Sequence, residues 1–460
     1  MFTTRRRSIR SSSWSRKKTR RFPRPLPLLA MTIGVLLGSE LLLRAIANFS
    51  GLNGQFTHAS NELAQSYQLR FLSPDRQPYK TLPSSGKLLA NRDALMGYQL
   101  QPKQSTQFWT VNAQGFRDTD DVPRQKPSSE TRIFVLGGST AFGQLSSSNN
   151  AMFAHQLEQR LNNQVTAQRA KPNTFQPEVL PYTADEVEKV LQRAARLPDR
   201  QYRVINAAVP GYASGNVAQI MERVADYDPD VVIVLGGYDD LLLPSTRSAV
   251  EIPGLDDILA GKGESWGAQF MGAIGNGFNN LYLVRAPQAF QKTVKVNPNV
   301  VRSLNITATT LPLAQSLAAN PSELNLRVAR YRDHLLQMVR WSAAAKKPLF
   351  VGVQPEVTGY GKTQPSAEEV EIINQLGKGY QDQVRTGYDK LATAAAQAAQ
   401  GSAQAKVVNL YGMFGEAGKG GMFLSPTSLT DQGNTVLAER FYQAIATDLA
   451  IKPKPFATSE

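Results

Sequence analysis

Five short apolar runs, separated by longer helical patterns, constrain the fold more than any other feature of this sequence. The runs cover residues 133–136, 204–208, 231–235, 349–353 and 407–410. Helical patterns cover about residues 184–196, 216–227, 322–345, 366–398 and 431–449. Buried strands that alternate with helices predict a parallel sheet covered on both faces. Right-handed crossovers then give a three-layer, doubly wound (flavodoxin-like) α/β fold.

Positive charge is concentrated at the N-terminus. The formal net charge is +14, but residues 1–24 hold ten Lys or Arg and no acid. Removing those ten charges leaves +4 over the other 436 residues, so the body of the protein is close to balanced. We interpret the basic segment as a topology signal and expect no nucleic-acid partner; a nucleic-acid-binding arm is the alternative.

The apolar segment that follows the basic tail has the length of a membrane-spanning helix. Residues 25–47 are close to the ~20 residues that cross a bilayer core. The positive-inside rule then keeps residues 1–24 in the cytoplasm and places the rest of the chain outside. A cleaved signal peptide is the alternative, because Ala45-Ile46-Ala47 fits a cleavage site. The arginines of the tail match a twin-arginine signal poorly.

These features predict the domain organisation. A basic cytoplasmic tail (1–24) and a spanning helix (25–47) precede a membrane-proximal segment and linker (48–125). The α/β domain covers 126–450, with an insertion at about 245–320 that does not follow the strand–helix pattern, and 451–460 form a tail. Ligands of such sheets bind beyond the carboxyl ends of the strands, where the glycine-rich turns of this sequence fall.

The first of these turns, residues 137–143, has three interpretations. It is a tight turn with Ser139 as a helix N-cap, a phosphate-binding loop, or a strand end that exposes Ser139 as a nucleophile. The G-x-x-x-x-G-K pattern of phosphate loops is absent. The residues of this turn alone do not separate the first interpretation from the third.

Four blocks in order resemble the SGNH/GDSL hydrolases, in the bacterial form with a GGST-type first block. They are Gly137-Gly138-Ser139-Thr140, Asn206 to Gly211, Gly237-Tyr238-Asp239-Asp240 and Ser425 to Thr430. An N-x-x-G-F-R lead-in at residues 112–117 precedes them. The resemblance covers about residues 110–450. It implies an α/β sheet of the SGNH hydrolase type, Ser139 at the nucleophile position, and Gly211 and Asp239 at the oxyanion-hole positions.

The sequence departs from the family at the other catalytic positions. Ser428 stands at the position of the family's base, a histidine, and Ser425 at that of the partner aspartate. Asp239 replaces the oxyanion-hole asparagine, and in its ionised form it would repel a developing negative charge. A substitute base would have to be His58, His155, His334 or the Asp239-Asp240 pair; that pair is also a weak cation-binding signal. We expect His155 and His334 to lie in the middle of helices.

Two functions remain at this point. The first is a catalytically degenerate SGNH-type protein that acts as a binding or scaffold module at the cell envelope. The second is an active serine ester hydrolase or O-acyltransferase that acts on acylated glycans or lipids with a non-standard base. The bacterial resemblance implies an inner (or internal) membrane with the domain on the periplasmic side. We expect an envelope glycan, a lipid or another membrane protein as partner, and neither a cofactor nor a metal.

Overall fold

The computed structural model describes residues 62–73, 75, 77, 86–249, 313–361, 363–416 and 420–456. The predicted tail (1–24), the predicted spanning helix (25–47) and most of the predicted insertion lie outside these residues. No helix within them is long and apolar enough to cross a membrane. The spanning helix therefore stays a prediction.

The central sheet contains the five predicted strands, all parallel. The strands of the described residues are β1 (Leu69–Leu72), β2 (Leu88–Asp93), β3 (Gly97–Leu100), β4 (Gln104–Ser105), β5 (Thr110–Val111), β6 (Glu130–Gly137), β7 (Gln201–Asn206), β8 (Val231–Gly236), β9 (Leu349–Val353) and β10 (Ala405–Asn409). The central sheet has the order β10-β9-β8-β6-β7. The chain therefore reverses its direction across the sheet at β6, which lies between β7 and β8. The predicted parallel α/β sheet is confirmed.

Helices cover this sheet. They are α1 (Ser139–Phe142), α2 (Phe153–Ala170), α3 (Ala184–Leu191), α4 (Ser214–Ala225), α5 (Tyr238–Leu242), α6 (Leu313–Ser316), α7 (Pro321–Ala345), α8 (Ala367–Ala399), α9 (Met413–Glu416) and α10 (Asp431–Leu449), with a further helical segment at residues 62–67. Helix α2 packs against α10, whereas α7 packs against both α4 and α8. The right-handed crossovers run first to one side of β6 and then to the other. They therefore separate the helices into these two packed groups, α2 with α10 and α7 with α4 and α8.

Local sequence signals fix where the long helices begin. Ser366 caps α8: its hydroxyl accepts a hydrogen bond from the Glu369 backbone N–H at 3.3 Å, and the Glu369 carboxylate accepts one from the Ser366 N–H at 2.8 Å. This reciprocal capping box satisfies two helix-end donors. Thr430 caps α10 through a single bond: its hydroxyl accepts the Gly433 N–H at 3.0 Å. The start of α10 also ends the loop that carries Ser425 and Ser428.

The carboxyl ends of β6, β8 and β9 lie level with one another. In the sheet register Gly137 is opposite Leu235, and Gly236 is opposite Val353. The turns that follow these three strands therefore meet at one edge of the sheet. The turns after β6 and β8 hold the residues of the first and third blocks, at the edge where ligands of doubly wound sheets bind.

Part of the predicted membrane-proximal segment packs on this edge. Strand β3 pairs with β2, and the Tyr98 hydroxyl on β3 donates a hydrogen bond to the Pro210 carbonyl. The Tyr212 hydroxyl donates back to the Tyr98 carbonyl, and the two rings meet edge to face with centroids 5.3 Å apart. Tyr98 therefore holds the turn that carries Gly211.

Arg117, the last residue of the lead-in motif, is fully buried behind the nucleophile position. Its guanidinium donates to the Phe142 and Gly143 carbonyls at 2.8 and 2.7 Å, and also to the Tyr67 hydroxyl at 2.7 Å. It also lies over the Phe142 ring, 4.9 Å from its centroid. The carbonyls at the end of a helix lack partners within the helix. Arg117 supplies those partners and fixes the short helix α1 that begins at Ser139.

Candidate functional site

Ser139 lies directly after β6, at the first position of α1. The preceding Gly137 has φ +150°, a conformation that side chains rarely adopt, which lets the chain turn sharply at the strand end. Gly211, with φ +84°, donates its backbone N–H to the Ser139 hydroxyl at 3.2 Å. The structure thus brings together the two positions that the sequence matches to the nucleophile and to one oxyanion donor.

Asp239 lies against the same turn from the neighbouring strand β8. A Cβ atom at Gly138 would lie 2.7 Å from Asp239 Oδ2, so only glycine leaves room for this carboxyl group. Asp239 is buried, with 8% of its surface exposed. Burial raises the pKa of Asp239 to about 7, and the neighbouring Asp240 carboxylate adds to the rise. The raised pKa favours the protonated form of Asp239 below about pH 7, and this form does not repel a developing negative charge as the ionised form would.

The loop with Ser425 and Ser428 faces α1. The Thr140 hydroxyl, next to Ser139 in the chain, donates to the Thr427 carbonyl at 2.8 Å. Gln354, at the end of β9, donates its amide N–H to the Thr140 hydroxyl at 2.9 Å. The loop is thus attached to the nucleophile turn within one residue of Ser139, as the block order predicts.

Both serines on this loop are buried. The Ser425 hydroxyl accepts the Ser428 N–H at 2.8 Å and the Thr427 N–H at 3.3 Å, which closes a tight turn. Ser428 has 2% of its surface exposed. A hydroxyl is a far weaker base than an imidazole. Neither serine therefore replaces the acid–base chemistry of the family's histidine and aspartate.

A buried carboxylate that the sequence did not point to anchors this loop. Glu369 on α8 accepts hydrogen bonds from the backbone N–H groups of Gly421, Met422 and Phe423 at 2.7–2.8 Å. The Tyr360 hydroxyl donates to it at 2.5 Å. Its capping-box role at the start of α8 is readable from the sequence, but its contacts to a loop some fifty residues away are not.

The two described histidines lie in the middle of helices, as expected, and neither is hydrogen-bonded to Ser139. His155 on α2 hydrogen-bonds Gln159 at 3.1 Å. His334 on α7 hydrogen-bonds the Ser214 hydroxyl through Nδ1 at 2.8 Å. His58 lies outside the described residues. Within the described residues, then, the histidine that serine hydrolases of this type use is absent from the site.

Glu356, a second buried acid at this sheet edge, was missed by the sequence analysis. It accepts the Tyr380 hydroxyl at 3.1 Å and the Thr358 N–H at 2.8 Å. Burial raises the pKa of Glu356 to about 7, although these hydrogen bonds oppose the rise. Tyr380 in turn hydrogen-bonds Tyr238, the residue before Asp239, at 2.8 Å. An acid three residues after a predicted strand was the available signal.

The arrangement does not point to a metal. In the described ranges, no three or more His, Asp or Glu side chains lie together as a metal-binding group. The Asp240 carboxylate instead accepts hydrogen bonds from the Ser214 backbone N–H at 3.1 Å and from the Ser214 hydroxyl. The Asp239-Asp240 pair was a weak cation-binding signal in the sequence. The hydrogen bonds from Ser214 account for the Asp240 carboxylate without a cation.

Asp239 and Glu356 predict a pH-dependent stability. Their pKa values lie at about 7 in the folded protein, above the ordinary 3.8 and 4.5. Between these limits the folded protein binds more protons than the unfolded chain, so the free energy of unfolding falls as pH rises. We expect urea denaturation to give a larger value at about pH 5 than at about pH 8. Asp239→Asn and Glu356→Gln should each reduce this difference; a pH slope unchanged in both variants contradicts the prediction.

Comparisons with known proteins give only distant similarity. No protein-family model matches the sequence, and no curated protein matches it. One similar solved structure is a catalytic mutant of Axe2, an acetylxylan esterase from Geobacillus stearothermophilus. It is 12% identical with a TM-score of 0.33, over 71% of this chain and 99% of that chain.

Two further structures are similarly distant. TesA is 13% identical with a TM-score of 0.31, over 69% of this chain and 99% of that chain. The psychrotrophic esterase EstA from Pseudoalteromonas sp. is 12% identical with a TM-score of 0.31, over 69% of this chain and 98% of that chain. Similarity at this level assigns no activity or substrate to this chain. In the structure itself, Ser139, Gly211 and Asp239 stand where the resemblance to the SGNH/GDSL hydrolases implies, at the carboxyl edge of a parallel α/β sheet.

Proposed function

We propose that this chain is an SGNH/GDSL-type protein that binds a ligand at the Ser139 cleft without hydrolysing it. The observation that carries the proposal is the turn from Ser425 to Ser428. It stands where the family has its catalytic aspartate and histidine, and the Ser425 hydroxyl accepts backbone N–H groups of its own loop. The fold and the oxyanion positions persist, whereas the groups that would move protons do not.

The chemical cost of these substitutions is large. A serine hydroxyl is a weak nucleophile until an adjacent base takes its proton. Loss of a triad member lowers the rate by several powers of ten and leaves only the contribution of binding and of the oxyanion hole. Ser139 accepts the Gly211 N–H, which suits an oxygen-binding site but does not activate the nucleophile.

The proposed location follows from the sequence. With residues 25–47 as an uncleaved anchor, the domain stands on the periplasmic side of a bacterial inner (or internal) membrane. There the partner is an envelope glycan, a lipid or another membrane protein, and the domain acts as a binding or scaffold module.

A second function is favoured by one specific observation. Asp239 lies against the Ser139 turn, and burial raises its pKa to about 7, the range in which general bases work best. An ester hydrolase or O-acyltransferase would use ionised Asp239 to accept the Ser139 proton. Such an activity would rise with pH through about 7, because only the ionised form is a base.

A fluorophosphonate probe tests the proposal on the full-length protein in detergent. We expect no labelling above that of Ser139→Ala between about pH 6 and about pH 9, because Ser428 stands at the position of the family's base. Rapid labelling that is lost in Ser139→Ala would overturn the binding function. If that labelling also rises through about pH 7 and the rise is lost in Asp239→Asn, Asp239 is the base.

A further inference from the structure

The two buried carboxyl groups of Asp239 and Asp240 have different hydrogen-bond partners and different charged neighbours. Asp240 accepts the backbone N–H and the hydroxyl of Ser214, the first residue of α4. The positive end of a helix dipole stabilises an anion at that place. Arg330 on α7 also lowers the pKa of Asp240, against the burial that raises it. Asp240 is therefore the acid that carries the negative charge.

Asp239 has weaker support: in the described part of the chain its carboxyl group is stabilised by its own backbone N–H. The titratable groups that face it are Tyr98 from β3, Tyr388 from α8 and Asp240 beside it; none of these described side chains is a cation. Two adjacent buried carboxyl groups do not readily ionise together. Because Asp240 holds the charge, the proton resides on Asp239.

A protonated carboxylic acid is a hydrogen-bond donor, as an amide is. Asp239 stands at the position matched to the family's asparagine, and it lies against the turn where the Gly211 N–H points at the Ser139 hydroxyl. The acid form restores a donor at this position, whereas the ionised form repels an incoming oxygen. Only 4% of Ser139 and 8% of Asp239 is exposed, so a ligand group that reaches both must be small.

We propose that the Asp239 O–H and the Gly211 N–H together bind the oxygen of a small acyl group, and that the cleft releases this group when Asp239 ionises. The proposal rests on the proposed binding function and names its ligand chemistry. The acyl oxygen comes either from a carboxylate or from a neutral ester or amide carbonyl. Both require the same donors and the same proton on Asp239.

The neighbours of Asp240 set the pH at which this release occurs. Ser214 connects Asp240 to His334, which hydrogen-bonds the same hydroxyl at 2.8 Å. Burial lowers the pKa of His334, and Arg330 adds to the lowering. His334 is thus neutral near pH 7, and it leaves the Asp240 charge in place beside Asp239. Removal of that charge should let Asp239 ionise at a lower pH.

The test measures binding of two probes, acetate and N-methylacetamide, to the full-length protein in detergent by ligand-observed NMR. We expect both affinities to fall about tenfold per pH unit above about pH 7 in the wild-type protein. Asp239→Asn should bind N-methylacetamide with an affinity independent of pH, because an amide donor does not titrate. Asp240→Asn should move the fall to lower pH.

Each other outcome overturns the proposal. A flat pH profile in the wild-type protein, or an unchanged profile in Asp239→Asn, excludes Asp239 as the titrating donor. No binding of either probe at about pH 5.5 excludes the acyl ligand but leaves the non-hydrolytic function standing, which only serine labelling would remove. If the acetate affinity alone changes with pH, carbonyl binding does not need the Asp239 proton and the shared-donor proposal fails. Where the proposal holds, the probe that binds more tightly at about pH 5.5 identifies the source of the oxygen.

A second measurement needs no ligand. Infrared difference spectra of the wild-type protein between about pH 6 and about pH 8 should contain the loss of a carboxylic acid C=O band. The loss should be smaller in Asp239→Asn than in the wild-type protein, although Glu356, whose pKa also lies at about 7, still contributes to it there. The matched comparison is therefore Glu356→Gln with and without Asp239→Asn: a C=O loss of the same size in both assigns the proton elsewhere and overturns the proposal even if the Asp239→Asn variant binds poorly.

Discussion

Replacement of Arg117 by alanine should lower the free energy of unfolding by about 3–5 kcal/mol, the largest effect we expect from any single substitution. The side chain is fully buried, and it donates to the Phe142 and Gly143 carbonyls and to the Tyr67 hydroxyl. Its loss removes the charged donor from these acceptors and leaves the Phe142 carbonyl with Asn206 and the Gly143 carbonyl with Ser146 as partners. Hydrogen bonds to charged groups contribute about 1.5–3 kcal/mol each. Urea denaturation monitored by circular dichroism measures the change.

Two variants separate the parts of this effect. Arg117→Lys keeps the charge but loses the planar fork, so it should recover only part of the lost stability. Tyr67→Phe removes one acceptor of Arg117 and should cost about 1 kcal/mol. A loss below about 1 kcal/mol in Arg117→Ala contradicts the prediction, because it would show that water or a shifted side chain satisfies the carbonyls.

These variants should destabilise α1, the helix that begins at Ser139. Arg117 holds the last carbonyls of α1, so its loss should loosen the Ser139 turn before the sheet unfolds. Hydrogen exchange at residues 139–143 should therefore increase more than exchange in β8. The lead-in motif precedes β6, and Arg117 does not face the cleft. The hydrogen bonds from Arg117 to α1 nevertheless connect this motif to the site.

The strands and long helices were predictable because their signals are local. The run 349–353 coincides with β9, and the helical pattern at 431–449 coincides with α10. The predicted helix at 184–196 is too long, since α3 ends at Leu191 and the following residues bridge to other segments. Local patterns determine which element forms, whereas tertiary contacts determine where it ends.

The site was predictable in position but not in chemistry. The block order placed Ser139, Gly211 and Asp239 at strand ends, and parallel strands bring such ends together. The raised pKa of Asp239 was not predictable, because it depends on burial and on the neighbouring Asp240, whose contact with Ser214 is a tertiary one. Glu356 was missed for a related reason: it belongs to the site only because β9 lies beside β8 in the sheet.

The second large effect concerns the restoration of hydrolysis. The changes are Ser428→His, Ser425→Asp and Asp239→Asn, which restore the family's residues at three positions. We expect the triple variant to hydrolyse a small aryl acetate at least about 10²-fold faster than the wild-type protein, since general-base catalysis alone contributes about 10²–10⁴. The rate should vanish when Ser139→Ala is added.

The structure indicates which of these changes the loop tolerates. Ser425 accepts the Ser428 and Thr427 N–H groups, and a carboxylate at that position can accept the same two donors. Ser428 is buried, so an imidazole there must displace its neighbours or turn outward toward Ser139. Glu369 holds the loop from the other side and should limit any shift of the backbone.

The three changes should be strongly non-additive. Ser428→His alone provides a ring that no carboxylate orients, so its rate should stay near that of the wild-type protein. With Ser425→Asp added, the ring is oriented, and catalysis then depends on the state of Asp239. Asp239→Asn alone provides a donor but no base.

The pH profile of the double variant Ser425→Asp/Ser428→His joins this prediction to the proposed role of Asp239. The introduced imidazole must be neutral to accept a proton, which favours high pH, whereas Asp239 must be protonated to donate, which favours pH below about 7. The rate should therefore pass through a narrow maximum near pH 6.5–7, and Asp239→Asn should convert it into a plateau at higher pH. If the triple variant folds but stays inert, the cleft has diverged from the family at more than these three positions. That result would favour a scaffold role over the interpretation that the protein lost its hydrolase activity recently.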